Sequence, residues 1–238
     1  MKKCVLTMLA GLFVVSPCLA LTPMGPPMAQ LKQGEAALGT GYAYSEGDLD
    51  VSGYGMHTDL DNVKLQTLLA TIRYGLATER MEVFARIGAS DMDAKGFHSG
   101  TKFAGGFGAK VTTNLERDLS WGILAQIMWY QGDDDNWTIL GYSGRSEIDA
   151  YEAQIATGPC WRSEDLCIYA GPFLHVFDGD LDIKSAGTRY SFDIDEGSAF
   201  GGYVGLETLL RPDLPIVAEI QVTSDAWLFT AGVMYKIP

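Results

Sequence analysis

Leu119-Ser120-Trp121-Gly122-Ile123-Leu124-Ala125-Gln126-Ile127-Met128-Trp129-Tyr130-Gln131 alternates almost without a break. Leu119, Trp121, Ile123, Ala125, Ile127 and Trp129 fall on one side of an extended chain, and Ser120, Gln126 and Tyr130 fall on the other. A period of two belongs to a strand with two unlike faces. The pattern recurs in both directions along the chain. In 63–76, Leu68, Ala70, Ile72, Tyr74 and Leu76 oppose Thr67, Thr71 and Arg73. In 81–90, Met81, Val83, Ala85, Ile87 and Ala89 oppose Glu82, Arg86 and Ser90. In 215–223, Ile216, Ala218, Ile220 and Val222 oppose Glu219, Gln221 and Thr223. The spacing predicts ten strands, at roughly 35–45, 63–76, 81–90, 103–113, 119–131, 148–159, 166–177, 198–210, 215–223 and 226–236.

The connections between them alternate in length. Ala77–Arg80, Asn114–Asp118, Arg162–Asp165 and Arg211–Leu214 are short, as is the last one after Thr223. Asp48–Asn62, Asp91–Lys102, Gly132–Glu147 and Asp178–Gly197 are long and rich in aspartate, and read as polar loops. One end of the strand array therefore carries tight turns and the other carries acidic loops. A net charge of −13 excludes nucleic acid, whose phosphates need a basic face, and a polybasic membrane binder.

A soluble sandwich also has many short strands. Its core, however, would have to bury the charges on the minority face: Arg73, Glu82, Arg86, Lys110, Glu152, Glu207, Glu219 and Lys236. The apolar face instead carries aromatics near the segment ends, among them Trp121, Trp129, Tyr151, Trp227 and Tyr235, as at a membrane–water boundary. An all-β, closed antiparallel transmembrane β-barrel satisfies both facts and leaves no strand edge unpaired. Opposite charges in its narrow lumen should pair with one another. Gly105, Gly106, Gly108, Gly201, Gly202 and Gly205 lie inside strands, where they would allow curvature.

With these strands, turns and loops, residues 34–238 resemble the small outer-membrane β-barrels of Gram-negative bacteria, the OmpA-like and opacity-type group. That resemblance implies a bacterial outer-membrane location, contact with outer-membrane lipid and lipopolysaccharide, and insertion by the barrel assembly machinery. Residues 1–20 read as a cleavable signal peptide: Lys2 and Lys3, an apolar run from Val5 to Val15, then Cys18 and Ala20 at −3 and −1. Residues 21–33 hold three prolines and read as an irregular lead-in.

Cleavage would leave Cys160 and Cys167, at the two feet of one short turn, an even count that suits a disulfide. No cofactor is expected. Asp178-Gly179-Asp180-Leu181-Asp182 opens like an EF-hand loop, but Ile183 stands where glycine is needed and Arg189 where the closing glutamate belongs. Asp178, Asp180 and Asp182 are thus only a minor candidate for Ca²⁺ or Mg²⁺. His57, His98 and His175 all fall in or near the loops, with Ser143, Ser146 and Ser198 also available, but no spacing selects a triad. Three functions follow in order: a non-enzymatic structural or surface-interaction barrel, a small cation-favouring porin, and a barrel hydrolase.

Overall fold

In the computed structural model, residues 21–76, 80–94, 97–139, 142–185, 187–195, 199–211 and 213–237 are described. The expected signal peptide, residues 1–20, and Ser198 lie outside them. The opening stretch becomes the start of β5 (Leu119–Ile139). In chain order the other strands are β1 (Ala36–Gly53), β2 (Met56–Gly75), β3 (Met81–Ala94), β4 (Phe97–Asn114), β6 (Tyr142–Arg162), β7 (Leu166–Ser185), β8 (Thr188–Asp195), β9 (Ala199–Arg211), β10 (Leu214–Val222) and β11 (Trp227–Ile237). Ten of them cover the ten predicted segments, and β8 lies where a loop was expected.

Each strand is antiparallel to its neighbour. β1 runs beside β2 through to β7, then β9, β10 and β11, and β11 returns to β1 with Ala36 opposite Ile237 and Glu46 opposite Trp227. This ring of ten strands has no open edge. Leu68, Ile87, Phe107, Ile123, Ile155 and Val204 are exposed on its outer face. Trp121 and Tyr235 stand on that face toward the end with short turns, and Trp129, Tyr151 and Trp227 toward the other; all five are exposed. We call the short-turn end the lower end.

The upper end departs from the loops expected there. Asp48–Asn62, Asp91–Lys102, Gly132–Glu147 and Asp178–Gly197 hold strand hairpins rather than long loops. β1 meets β2 at Tyr54-Gly55, a two-residue turn with positive φ at both positions. The physical reason is a reversal of polarity. Below, the apolar residues face outward. Above, Val51, Val63, Leu65, Met92, Phe97, Ile148, Leu181, Ile183, Phe192 and Ile194 are buried in one cluster inside the ring. Their burial makes the hairpins worth forming.

The strand order changes above. β10 and β11 are short and end in a tight turn, with Thr223 N donating to Ala226 O. β8 pairs with β7 on one side and with β1 on the other, Ile194 opposite Val51 and Asp193 opposite Ser52. The barrel thus has ten strands in its lower part; above, β8 takes the place of β9, β10 and β11 between β7 and β1, while the β4–β5 ladder ends at Ala104 opposite Tyr130.

Candidate functional site

Arg73, Glu82, Lys110, Glu152, Glu207 and Glu219 are buried, as are Gln126, Gln154 and Gln221. Arg86 is partly buried. Lys236 departs from this group: it lies half-buried at the lower rim, where its backbone N–H donates to Asp213 O.

The expected mutual pairing is met at one place. Among the described residues, the ion pair within this set is Arg73 with Glu82, Nε to Oε1 at 2.5 Å and Nη2 to Oε2 at 2.8 Å. The other lumen charges turn to a partner that sequence reasoning did not place there, the segment 21–33. This stretch is irregular because Pro23, Pro26 and Pro27 have no N–H to give a ladder. It leaves β1 at the lower rim, where Lys32, Gln33, Gly34 and Glu35 are exposed, and runs up inside the ring. Leu21, Thr22, Met24, Met28 and Leu31 are buried there.

Its main chain is held by side chains from five different strands. Glu152 accepts from Thr22 N at 3.3 Å, Glu219 from Met24 N at 3.0 Å, Thr112 from Ala29 N at 2.6 Å and Glu82 from Gln30 N at 3.0 Å. Gln221 donates to Thr22 O at 2.8 Å, Arg86 and Gln126 to Pro23 O, Arg86 to Met24 O at 3.3 Å and Lys110 to Pro26 O at 2.7 Å. Buried charges need such partners, and here backbone dipoles supply them. The Gln30 side chain adds a bond to Glu207 at 2.8 Å and receives one from Arg73 at 2.9 Å. Beside the segment remains a cavity of about 80 Å³, with Arg73, Arg86, Lys110 and Glu207 on its wall.

Aromatic rings complete the filling by lying over glycines. Tyr169 on β7 is opposite Gly205 on β9, which is opposite Glu219 on β10. A Cβ at Gly205 would stand 2.3 Å from the Tyr169 ring, so only glycine lets that ring lie across β9 toward Glu219. Gly108 accommodates Phe84 and Gly201 accommodates Phe173 in the same way. The glycines read as curvature positions therefore also admit side chains.

His175 is not a loop residue. It is buried in the lumen, with Nδ1 3.4 Å from Glu152 Oε1. His98 is exposed, and its backbone N–H donates to Asp134 at 3.0 Å. The His57 side chain lies outside the described set.

Cys160 and Cys167 are free thiols, both buried, where a disulfide was expected. Cys160 stands opposite Tyr169 and Cys167 opposite Arg162, so the two are diagonal neighbours, and their thiols hydrogen-bond to each other. The candidate cation ligands do not form a wrapped loop. Asp178, Asp180 and Asp182 occupy alternate positions of β7, about 6.6 Å apart along the strand rather than wrapped around one point. Asp178 accepts from Tyr151 OH at 2.9 Å, and Asp182 from Ser191 Oγ at 2.8 Å and from Arg189. Among the described residues no group of three or more His, Cys, Asp or Glu could hold a metal.

Above the aromatics, the outer face of the extension is charged. Lys102 contacts Asp133, Arg145 reaches both Asp133 and Glu147, and Lys184 holds Glu147 at 2.6 Å. These contacts hold the carboxyls low: Asp133 chiefly by its bond from Lys102, Glu147 by that from Lys184, and Asp182 by that from Arg189. Farther round, the cross-strand rows are acidic. Asp149 is opposite Asp180, which is opposite Asp193; Asp178 is opposite Asp195, which is opposite Asp50.

A closed ten-stranded antiparallel ring, an apolar outer belt with aromatics toward both margins, and a polar interior define a transmembrane β-barrel of the bacterial outer-membrane class. No protein-family model matches the chain, and no curated protein matches it in sequence. Solved structures do match in fold. The translocator domain of the autotransporter NalP from Neisseria meningitidis is 10% identical, with 87% of this chain and 90% of that one covered at a TM-score of 0.54. The outer-membrane protease OmpT from Escherichia coli is 11% identical, with 85% and 97% covered at a TM-score of 0.51.

Proposed function

We propose that this chain is a non-enzymatic barrel of the outer membrane with a structural or surface-interaction role. The observation that carries this reading is the filled interior. The lower lumen is occupied by residues 21–33, and the upper lumen by its own apolar cluster. A barrel filled over its height acts through its outside. There the extension offers Asp149, Asp180 and Asp193, and beside them Asp178 and Asp50, along cross-strand rows. Like charges set opposite each other favour a bridging cation. In this reading Ca²⁺ or Mg²⁺ lies between these carboxylates and lipopolysaccharide phosphates, with the phosphates completing the coordination.

The test is single-channel recording of the refolded chain beginning at Leu21 in a planar bilayer, with and without Ca²⁺. A silent folded barrel is expected. Reproducible cation-selective steps would overturn the reading and put the porin function first. In parallel, Ca²⁺ should raise the melting temperature of the protein in lipopolysaccharide-containing vesicles more than in phosphatidylcholine vesicles. Equal melting in both removes the bridging role.

A further inference from the structure

The lumen charges face main-chain atoms. Eight lumen side chains engage the backbone of residues 22–30: Glu152, Glu219, Thr112 and Glu82 accept N–H groups, and Gln221, Arg86, Gln126 and Lys110 donate to carbonyls. Each sign meets the atom it suits, so the wall reads the polarity of an extended polypeptide and its direction. It reads little of its side chains: among the described residues, the segment's own side chains make polar contacts at Thr22 and Gln30 and at the Met28 sulfur, which accepts from Arg162 at 3.8 Å. Pro23, Pro26 and Pro27 fall where no N–H is taken, while Pro23 and Pro26 present bound carbonyls. Prolines also hold the free segment extended, which lowers the entropy lost on binding. The only covalent link from this segment into the wall runs through the exposed stretch at 32–35.

We propose that the lower lumen is a binding site for an extended, proline-bearing polypeptide backbone entering from the short-turn rim, that residues 21–33 occupy it in cis, and that a free peptide of the same kind exchanges into it. The proposal goes beyond the structural role above. It concerns the chain once the segment is severed, so its failure leaves the silence of the intact barrel untouched.

The experiment starts from the full barrel. A protease site replaces Lys32–Glu35, the protein is folded in detergent micelles, and the site is then cut. The probe is a fluorescent synthetic peptide of residues 21–33. The cut segment should stay with the barrel through gel filtration and exchange with excess probe, and the probe should bind saturably. Peptides carrying Met24→Pro or Ala29→Pro each lose one N–H that a buried side chain accepts, Glu219 or Thr112, and should bind about tenfold more weakly or worse. Met24→Leu, which keeps the N–H, should bind like the parent. In a planar bilayer, release of the segment should raise conductance and added peptide should lower it again. A retained segment that never exchanges, or proline peptides that bind as tightly as the parent, would overturn the proposal. Circular dichroism before and after cutting shows that the barrel itself has stayed folded.

Discussion

The two halves of this barrel solve one problem in opposite ways. Around eight strands, the interior is just wide enough for side chains to fill it. The upper half has eight, and Phe97, Phe177, Leu181, Ile183 and Phe192 fill it as they would a soluble core. The lower half has ten. Its wall is too wide for its own side chains, and a stretch of backbone is borrowed to fill the remainder. Backbone brings peptide dipoles, so this half must be lined with groups that bond to them. Strand number therefore sets the chemistry of the interior: apolar where side chains suffice, and charges set among aromatic and aliphatic side chains where main chain has to be held.

The largest test of this contrast is Arg73→Ala. It leaves Glu82 buried beside the segment without its ion pair, and should cost about 3–5 kcal/mol in urea unfolding followed by gel mobility. Replacing both residues, Arg73→Met with Glu82→Met, should recover part of that loss; recovery of none would mean that Glu82 serves chiefly Gln30 N. Next, Phe192→Ala should cost about 3 kcal/mol, all of it in the upper half. Limited proteolysis should then cut β8 and the ends of β1 and β7 while the ten-stranded part stays protected. If both halves melt together, they form one cooperative unit.

Gly205→Val tests the lower filling from the wall side. Its Cβ meets the Tyr169 ring, and a loss of about 1–3 kcal/mol is expected in the same unfolding assay. The smallest effect is electrostatic and belongs to the upper half. Glu147 and Asp182 have folded pKa values held down by Lys184 and Arg189. Their contribution is present above the ordinary carboxylate range, about pH 4, and is lost as pH falls through the lowered values. Lys184 and Arg189 are exposed and Glu147 is half-buried, while Asp182 is buried, so solvent screens the cations and melting of the extension at pH 7 and pH 3 should differ by about 1 kcal/mol from this source, and less in high salt.

Much of the lower half was legible in the sequence. Alternation at 119–131 named both the strand and its two faces, and the inward charges from Arg73 to Glu219 marked a polar interior. The upper half carried the same signal with its sign reversed. Leu181 and Ile183 alternate with Asp180, Asp182 and Lys184, and Tyr190, Phe192 and Ile194 alternate with Arg189, Ser191 and Asp193. Dense aspartate made these look like loops, although a strand with acids outside and aliphatics inside has the same period. The position of 21–33 was harder to read. Its prolines exclude a strand, but nothing local says on which side of a wall an irregular segment lies. The cysteine offset depends on a pairing register that spacing alone did not fix.

The step from ten strands to eight also shapes the molecule's surroundings. Barrel diameter follows strand number, so the wall should draw in by about a fifth above the turn at Thr223–Ala226, where β10 and β11 end. That leaves a shelf beside Trp227. A lipid seated at that step should find more lateral area at its head than at its tails. The shape suits amphiphiles whose headgroups are broader than the chains that anchor them.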